Sequence, residues 1–173
     1  NVALHFASAL AVFALLAAVL PRRREALFAA LAAAALWALH PIQVQAVTYI
    51  VQRMAEFAAL FTLLSVWSYI RARQQPARAG RWFAAALAAF AAGMLSKENA
   101  AIVPALWWLA EFSVCRPQGP LLRGRLDRAL FALPFLLLAL AAIDLATGRG
   151  PLAQFVLPGY QGRSFTFEER LLT

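Results

Sequence analysis

The stretch ALFAALAAAALWALHPIQVQAVTYIVQRMAEFAALFTLLSVWSYI, residues 26–70, decides how the chain is read. Two apolar runs, 26–39 and 54–70, have the composition of membrane helices. Between them lies HPIQVQAVTYIVQR, residues 40–53, with a His-Pro pair, three glutamines and an arginine. Polar groups are costly at membrane depth unless they face water, protein or a ligand, so this insertion asks for a role.

The composition of the whole chain supports a membrane setting. Of its 173 residues, 63% are hydrophobic and only 14% are charged; the mean hydropathy is +0.68. These values exclude an ordinary soluble domain. A formal charge of +8 would suggest nucleic acid in a soluble chain, so the placement of the charge decides what it means. The single cysteine, Cys115, excludes an internal disulfide and argues against a cysteine-based metal site. The first apolar run has no basic leader and no cleavage site, so a membrane helix rather than a signal peptide is expected. The chain starts at Asn1 and stops just after ERLLT, and is expected to be part of a longer one.

Apolar runs bounded by charge or proline cover residues 2–20, 26–39, 54–70, 82–95, 100–115 and 129–147. The expected fold is all-α, a polytopic membrane domain of about six spans, with 148–173 as an outer-face tail. A full crossing takes about 20 residues. The second, fourth and fifth runs fall short, so the polar residues that follow or join them are expected below the membrane surface, where they would form a recess.

Arginines alternate between the connections. Arg22, Arg23 and Arg24 follow the first run, Arg71, Arg73, Arg78 and Arg81 the third, and Arg116, Arg123, Arg125 and Arg128 the fifth. The positive-inside rule makes these loops cytoplasmic and turns residue 1, HPIQ and the SKEN turn at 96–99 outward. In a bacterial inner membrane the outward side is the periplasm. The net charge then reports topology, and no nucleic-acid partner is expected. Trp67, Tyr69 and Trp82 fit an aromatic belt at the arginine-rich interface.

Proline disfavours helical geometry in the residue before it, so the second span is expected to end at His40 and a new helix to start a few residues later. In that helix Gln45, Tyr49, Gln52, Arg53 and Glu56 fall at i, i+4, i+7, i+8 and i+11, a polar stripe on one face. Val44, Val47, Ile50, Val51 and Met54 occupy the rest. Two readings stand: an interfacial helix with Arg53 and Glu56 paired at i, i+3, or the lining of an outward cavity. In the SKEN turn, Asn99 or Ser96 could cap a helix starting near Ala100. Lys97 and that helix's first amides would favour an anion such as phosphate; a tight turn also needs polar residues for structural reasons alone.

Other polar residues carry less. His5 is expected to be a helix-packing hydrogen-bond partner, since one histidine supplies one ligand and metals take three or four. Glu111 is expected to pair with an arginine, Trp107 and Trp108 to pack or meet the interface, and Asp144 to be functional or to snorkel. Thr166 to Glu169 has capping-box spacing, which predicts a helix from near Phe167. No glycine-rich phosphate loop, metal-ligand cluster or nucleophilic triad can be assembled.

HPIQVQAVTYIVQRMAEFAALF followed by SKENAAIVPALWWL resembles the membrane domain of bacterial relatives of the transmembrane and tetratricopeptide-repeat O-mannosyltransferases, in the GT-C class of glycosyltransferases. NVALH at the start and FEERLLT at the end resemble segments of those proteins in the same order. The HP…AVTYIVQR block is the most specific of these signals; NxxxH alone would mean little. The resemblance implies an integral-membrane enzyme that moves a sugar from a polyprenyl-phosphate carrier to a protein or glycan acceptor on the outer face. It implies a catalytic carboxylate in an earlier outer loop, before Asn1, and tetratricopeptide repeats downstream. In the eukaryotic relatives a glutamate often stands where this chain has Gln45, and the glutamine form is closer to the bacterial ones. Metal dependence varies in the class, so a divalent metal is an open expectation that no ligand cluster here supports.

A departing carrier phosphate is an anion, so cations placed where charge develops favour transfer. Arg53 and Lys97 are the candidates. His40, Gln45, Gln52, Glu56, Glu98 and Asn99 are candidates to hold sugar or acceptor hydroxyls. The competing reading is a non-catalytic membrane subunit within a larger assembly. A transporter fits less well, because both polar sites gather on one side.

Overall fold

The computed structural model describes residues 1–115 and 125–148. The arginines at 116 and 123, the tail beyond 148 and the expected helix near Phe167 lie outside them. The chain divides into two compact units, Asn1–Arg123 and Gly124–Thr173. Among the described residues every regular element is helical and there is no strand.

The first unit contains α1 (Val2–Val19), α2 (Arg24–Leu39), α3 (Val44–Thr48), α4 (Arg53–Gln74), α5 (Ala79–Ser96) and α6 (Val103–Ala110). Three helical stretches, Val2–Val19, Ile50–Gln74 and Pro76–Ser96, are long and apolar enough to cross a membrane. A fourth span results if α2 and Pro41–Thr48, which meet at a 51° bend, count as one broken crossing. The run at 100–115 is not one regular helix. A 3₁₀ turn, Glu98–Ile102, leads into α6, and a π turn, Glu111–Cys115, follows it.

Specific contacts fix the direction of each helix. His5 Nε2 sits 2.9 Å from the Ala38 carbonyl and its ring stacks on Trp37, so α1 and α2 are antiparallel. Arg53 meets Asn1 and Gln74 meets Ala18, so α4 runs with α1. Tyr69 touches Phe83, Ser65 touches Ala86, and Gly93 lies beside Phe61 and Ala58, so α5 returns along α4. Trp107 stacks on Tyr69 and Glu111 reaches Arg73, so α6 again follows α4. One end therefore gathers Asn1, residues 40–53 and the SKEN turn. The other gathers Arg22, Arg71 and Arg73.

Helices in lipid gain no hydrophobic drive from one another, so close packing and interhelical hydrogen bonds hold them. The sequence supplies small residues for this. Ala30, Ala34, Ala58 and Ala86 are buried. At Gly93 an added Cβ would stand 2.9 Å from the Ala100 Cβ, 3.5 Å from the Phe61 Cβ and 3.9 Å from the Ala58 carbonyl oxygen. Around this seam Tyr69 and Trp107 stack with ring centres 5.5 Å apart, and Phe83 and Phe90 meet them edge-on.

Tyr69 is fully buried in that aromatic core, and so is not the interfacial belt residue expected of it. Trp67 and Trp82 do pair, edge to face at 5.2 Å. Glu111 does find its arginine, accepting two hydrogen bonds from Arg73 and one from the Tyr69 hydroxyl.

The second unit holds α7, Arg125–Thr147, which contains the expected run 129–147. It closes at Gly148, whose φ of 64° favours glycine and whose amide donates to the Asp144 carbonyl.

Candidate functional site at the polar end of the helices

The polar stretch is built differently from a single striped helix. His40 is extended, as its place before Pro41 requires. Its Nδ1 accepts a hydrogen bond from the Ile42 amide at 3.2 Å and so caps the 3₁₀ turn Pro41–Gln43. Helix α3 then lasts five residues. At Tyr49 the backbone turns extended, with φ −89° and ψ 121°, and a 3₁₀ turn, Ile50–Gln52, leads into α4.

This break corrects the stripe. Gln45 belongs to α3, while Arg53 and Glu56 belong to α4, and no single face carries all five residues. The physical reason is visible at Asn1. Its side-chain amide donates 2.7 Å to the Tyr49 carbonyl, which also takes the Gln52 amide, and 3.3 Å to the Ala46 carbonyl, on either side of the point where the helix is interrupted. The β-branched Thr48, Ile50 and Val51 around the break have weak helix preference and make it cheap.

Asn1 also fixes Arg53, whose Nε donates 3.0 Å to Asn1 Oδ1. Arg53 is therefore not paired with Glu56, as the interfacial reading expected. Glu56 is 7% exposed, and neither carboxylate oxygen has a hydrogen-bond partner among the described residues. Glu56 and Gln74 project from the same side of α4, since five turns take about 18 residues. Gln74 bonds to α1, which turns the Glu56 side of α4 toward α1 as well. A buried carboxylate left without partners costs upward of about 1–3 kcal/mol.

The SKEN turn departs from expectation too. Neither Ser96 nor Asn99 caps a helix: the Ser96 hydroxyl donates back to the Ala92 carbonyl at 2.8 Å, and α6 starts only at Val103 with no side-chain cap. Beside Lys97 there is a 3₁₀ turn instead of an α-helical N-terminus, which weakens the amide contribution to an anion site. Lys97 is half-buried; Glu98 and Asn99 are exposed.

His40, Gln45, Gln52, Arg53, Glu56, Lys97, Glu98 and Asn99 thus share one end of the helices, and the packing of Gly93 against Ala58 brings the two segments to the same level. Among the described residues no hydrogen bond or ion pair links Arg53 to Lys97. Nor does any group of three His, Cys, Asp or Glu side chains there suit a metal ion. The buried Tyr69–Glu111–Arg73 cluster and the role of Asn1 were not foreseen in this form. An Asn whose side chain reaches residues 46–53 leaves no trace in local sequence spacing.

Comparison of the chain with protein-family models, with curated proteins and with solved structures gave no match.

Proposed function

We propose that the chain is part of a GT-C-like glycosyltransferase membrane domain of about six spans, set in a bacterial inner membrane with the Asn1 end toward the periplasm. It transfers a sugar from a polyprenyl-phosphate carrier to a protein or glycan acceptor. The sequence resemblance supplies the reaction. The observation that carries the site is Glu56, a buried carboxylate without a hydrogen-bond partner among the described residues, one turn from an arginine already held in place by Asn1.

In this reading the acceptor hydroxyl attacks the anomeric carbon, the bond from that carbon to the carrier phosphate breaks, and the phosphate leaves as an anion. The acceptor proton goes to the carboxylate expected upstream of Asn1. Arg53 and Lys97 stabilise the leaving phosphate, and Glu56 accepts hydrogen bonds from sugar hydroxyls. His40 can use its second ring nitrogen, and Gln45, Gln52, Glu98 and Asn99 their side chains, for the remaining hydroxyls.

Membranes containing the full-length parent protein, supplied with labelled polyprenyl-phosphate sugar, provide the test. Loss of a preorganised group at such a site lowers turnover by about a hundredfold or more. That loss is expected for Glu56→Gln and for the Arg53→Ala, Lys97→Ala double variant at unchanged protein level. Transfer equal to the parent's by both would overturn the assignment.

The alternative, a non-catalytic subunit, draws on a separate observation. Ile42, Val44, Ile50, Val51 and Met54 are exposed large apolar residues clustered at the same end. Absence of transfer by the parent, with loss of a defined assembly on Val51→Ser, would favour it.

A further inference from the structure

At the arginine-bearing end, the last turn of α1, the linker after it and the last turn of α4 surround an open recess of about 540 Å³. That volume lies within the range of roughly 300–1,000 Å³ usual for small-molecule sites. Arg22, Arg71, Arg73 and Gln74 line it, with Pro21 and Pro76 at its edge. Gln74 Nε2 donates to the Ala18 carbonyl at 2.6 Å and ties the α4 wall to the α1 wall.

The three arginines are not equivalent. Arg73 is matched by Glu111, whose carboxylate takes both its Nε and its Nη2. Among the described residues neither Arg22 nor Arg71 forms an ion pair. Arg71 sits over two indoles, 5.9 Å from the Trp67 ring centre and 5.8 Å from that of Trp82, and its buried Nε has no hydrogen-bond partner among the described residues. The rings hold the guanidinium in place without consuming its donors, as cation–π contacts do. Two positive charges are thus left over in a preformed hollow.

The position of the hollow narrows the ligand. It opens where two helices able to cross a membrane end. A tryptophan pair stands beside it, and indoles favour the headgroup level. A smaller hollow of about 240 Å³ is lined by Arg78, Arg81 and Trp82. Basic pockets between membrane helices at this depth select phosphate-bearing headgroups, and guanidinium groups match phosphate oxygens in fork geometry. We infer that the recess between α1 and α4 binds the phosphate of an anionic membrane phospholipid through Arg22 and Arg71, with Gln74 beside them.

The site is independent of the proposed glycosyl transfer, which uses the other end of the helices. The full-length protein, purified in mild detergent, is titrated with phosphatidylglycerol, with phosphatidylcholine and with inorganic phosphate. Retained lipid is read by native mass spectrometry and melting temperature by scanning fluorimetry. Saturable retention of phosphatidylglycerol over phosphatidylcholine is expected, with a matching rise in melting temperature. Each of Arg22→Gln and Arg71→Gln should weaken it about fivefold, the contribution of one arginine near a charged membrane surface. Arg24→Gln, an exposed arginine outside the recess, should leave it unchanged. Should Arg71→Gln disturb folding by unseating Trp67 and Trp82, the exposed Arg22→Gln carries the test by itself. Equal retention of both lipids, or full retention by Arg22→Gln, would overturn the inference. Protection by inorganic phosphate with no lipid retained would overturn the lipid assignment.

Discussion

Arg73 and Glu111 meet in a two-pronged ion pair across 38 residues of sequence, Nε to Oε2 at 2.8 Å and Nη2 to Oε1 at 2.9 Å. The Tyr69 hydroxyl donates to the same Oε2 at 2.9 Å. This pair fastens the π turn after α6 to the last turn of α4, at the point where α6 stops being a regular helix. Both side chains are about nine-tenths buried, so each supports the charge of the other.

Removing one side of such a buried pair costs about 3–5 kcal/mol. Arg73→Met and Glu111→Met singly are expected to lose that much stability in a detergent unfolding titration, and the double variant to lose clearly less than the sum. Tyr69→Phe should cost about 1.5–3 kcal/mol, the range for a hydrogen bond to a charged group. Strict additivity of Arg73→Met and Glu111→Met would show that the pair contributes no coupling.

Asn1 predicts a local effect. Asn1→Ala removes the donor to the Tyr49 and Ala46 carbonyls and the acceptor for Arg53 together. Amide hydrogen exchange over residues 44–53 is expected to speed up, with stability lower by about 1 kcal/mol for the groups left unsatisfied. The α4–α5 hairpin should keep its protection. Asn1→Asp retains the bond from Arg53 and should fall between the two. Unchanged exchange at Tyr49–Arg53 in Asn1→Ala would mean that the break is held by something else.

Gly93 tests the seam between α4, α5 and the SKEN turn. A methyl group there already meets Ala100 at 2.9 Å, so Gly93→Ala is expected to cost about 1–3 kcal/mol, as overpacking does. Gly93→Val should cost more. Pairing Gly93→Ala with Ala100→Gly vacates the clashing atom and should recover part of the loss. No recovery in the thermal melt would point to strain elsewhere on α5.

How much of this was readable beforehand depends on the range over which each feature is encoded. Apolar runs and arginine loops are local, and α1, α4 and α5 fall close to the expected 2–20, 54–70 and 82–95. His40 ends its helix because proline acts on the residue before it. The gathering of residues 40–56 and 96–99 at one end follows from helices reversing direction, which alternating loop charge already encodes. The stripe was misread because periodicity counts positions and cannot see a carbonyl claimed by Asn1 from some 48 residues away. Tyr69 was placed at the interface by its distance from Arg71 along the chain, whereas its neighbours Phe83 and Trp107 arrive from other helices. The recess at Arg22 and Arg71 is likewise a product of α1 and α4 lying side by side.

Trp107 and Trp108 are adjacent in sequence but face opposite surroundings, one 1% exposed in the aromatic core and the other 54% exposed on the outer side of α6. Lipids carrying bromine at graded positions along the acyl chain should quench Trp108 at one depth and leave the emission of Trp107 almost untouched. With the other three tryptophans replaced by phenylalanine, the chain carries its own depth gauge, a sealed reference lamp beside an open one, and α6 can be located against the bilayer without an added label.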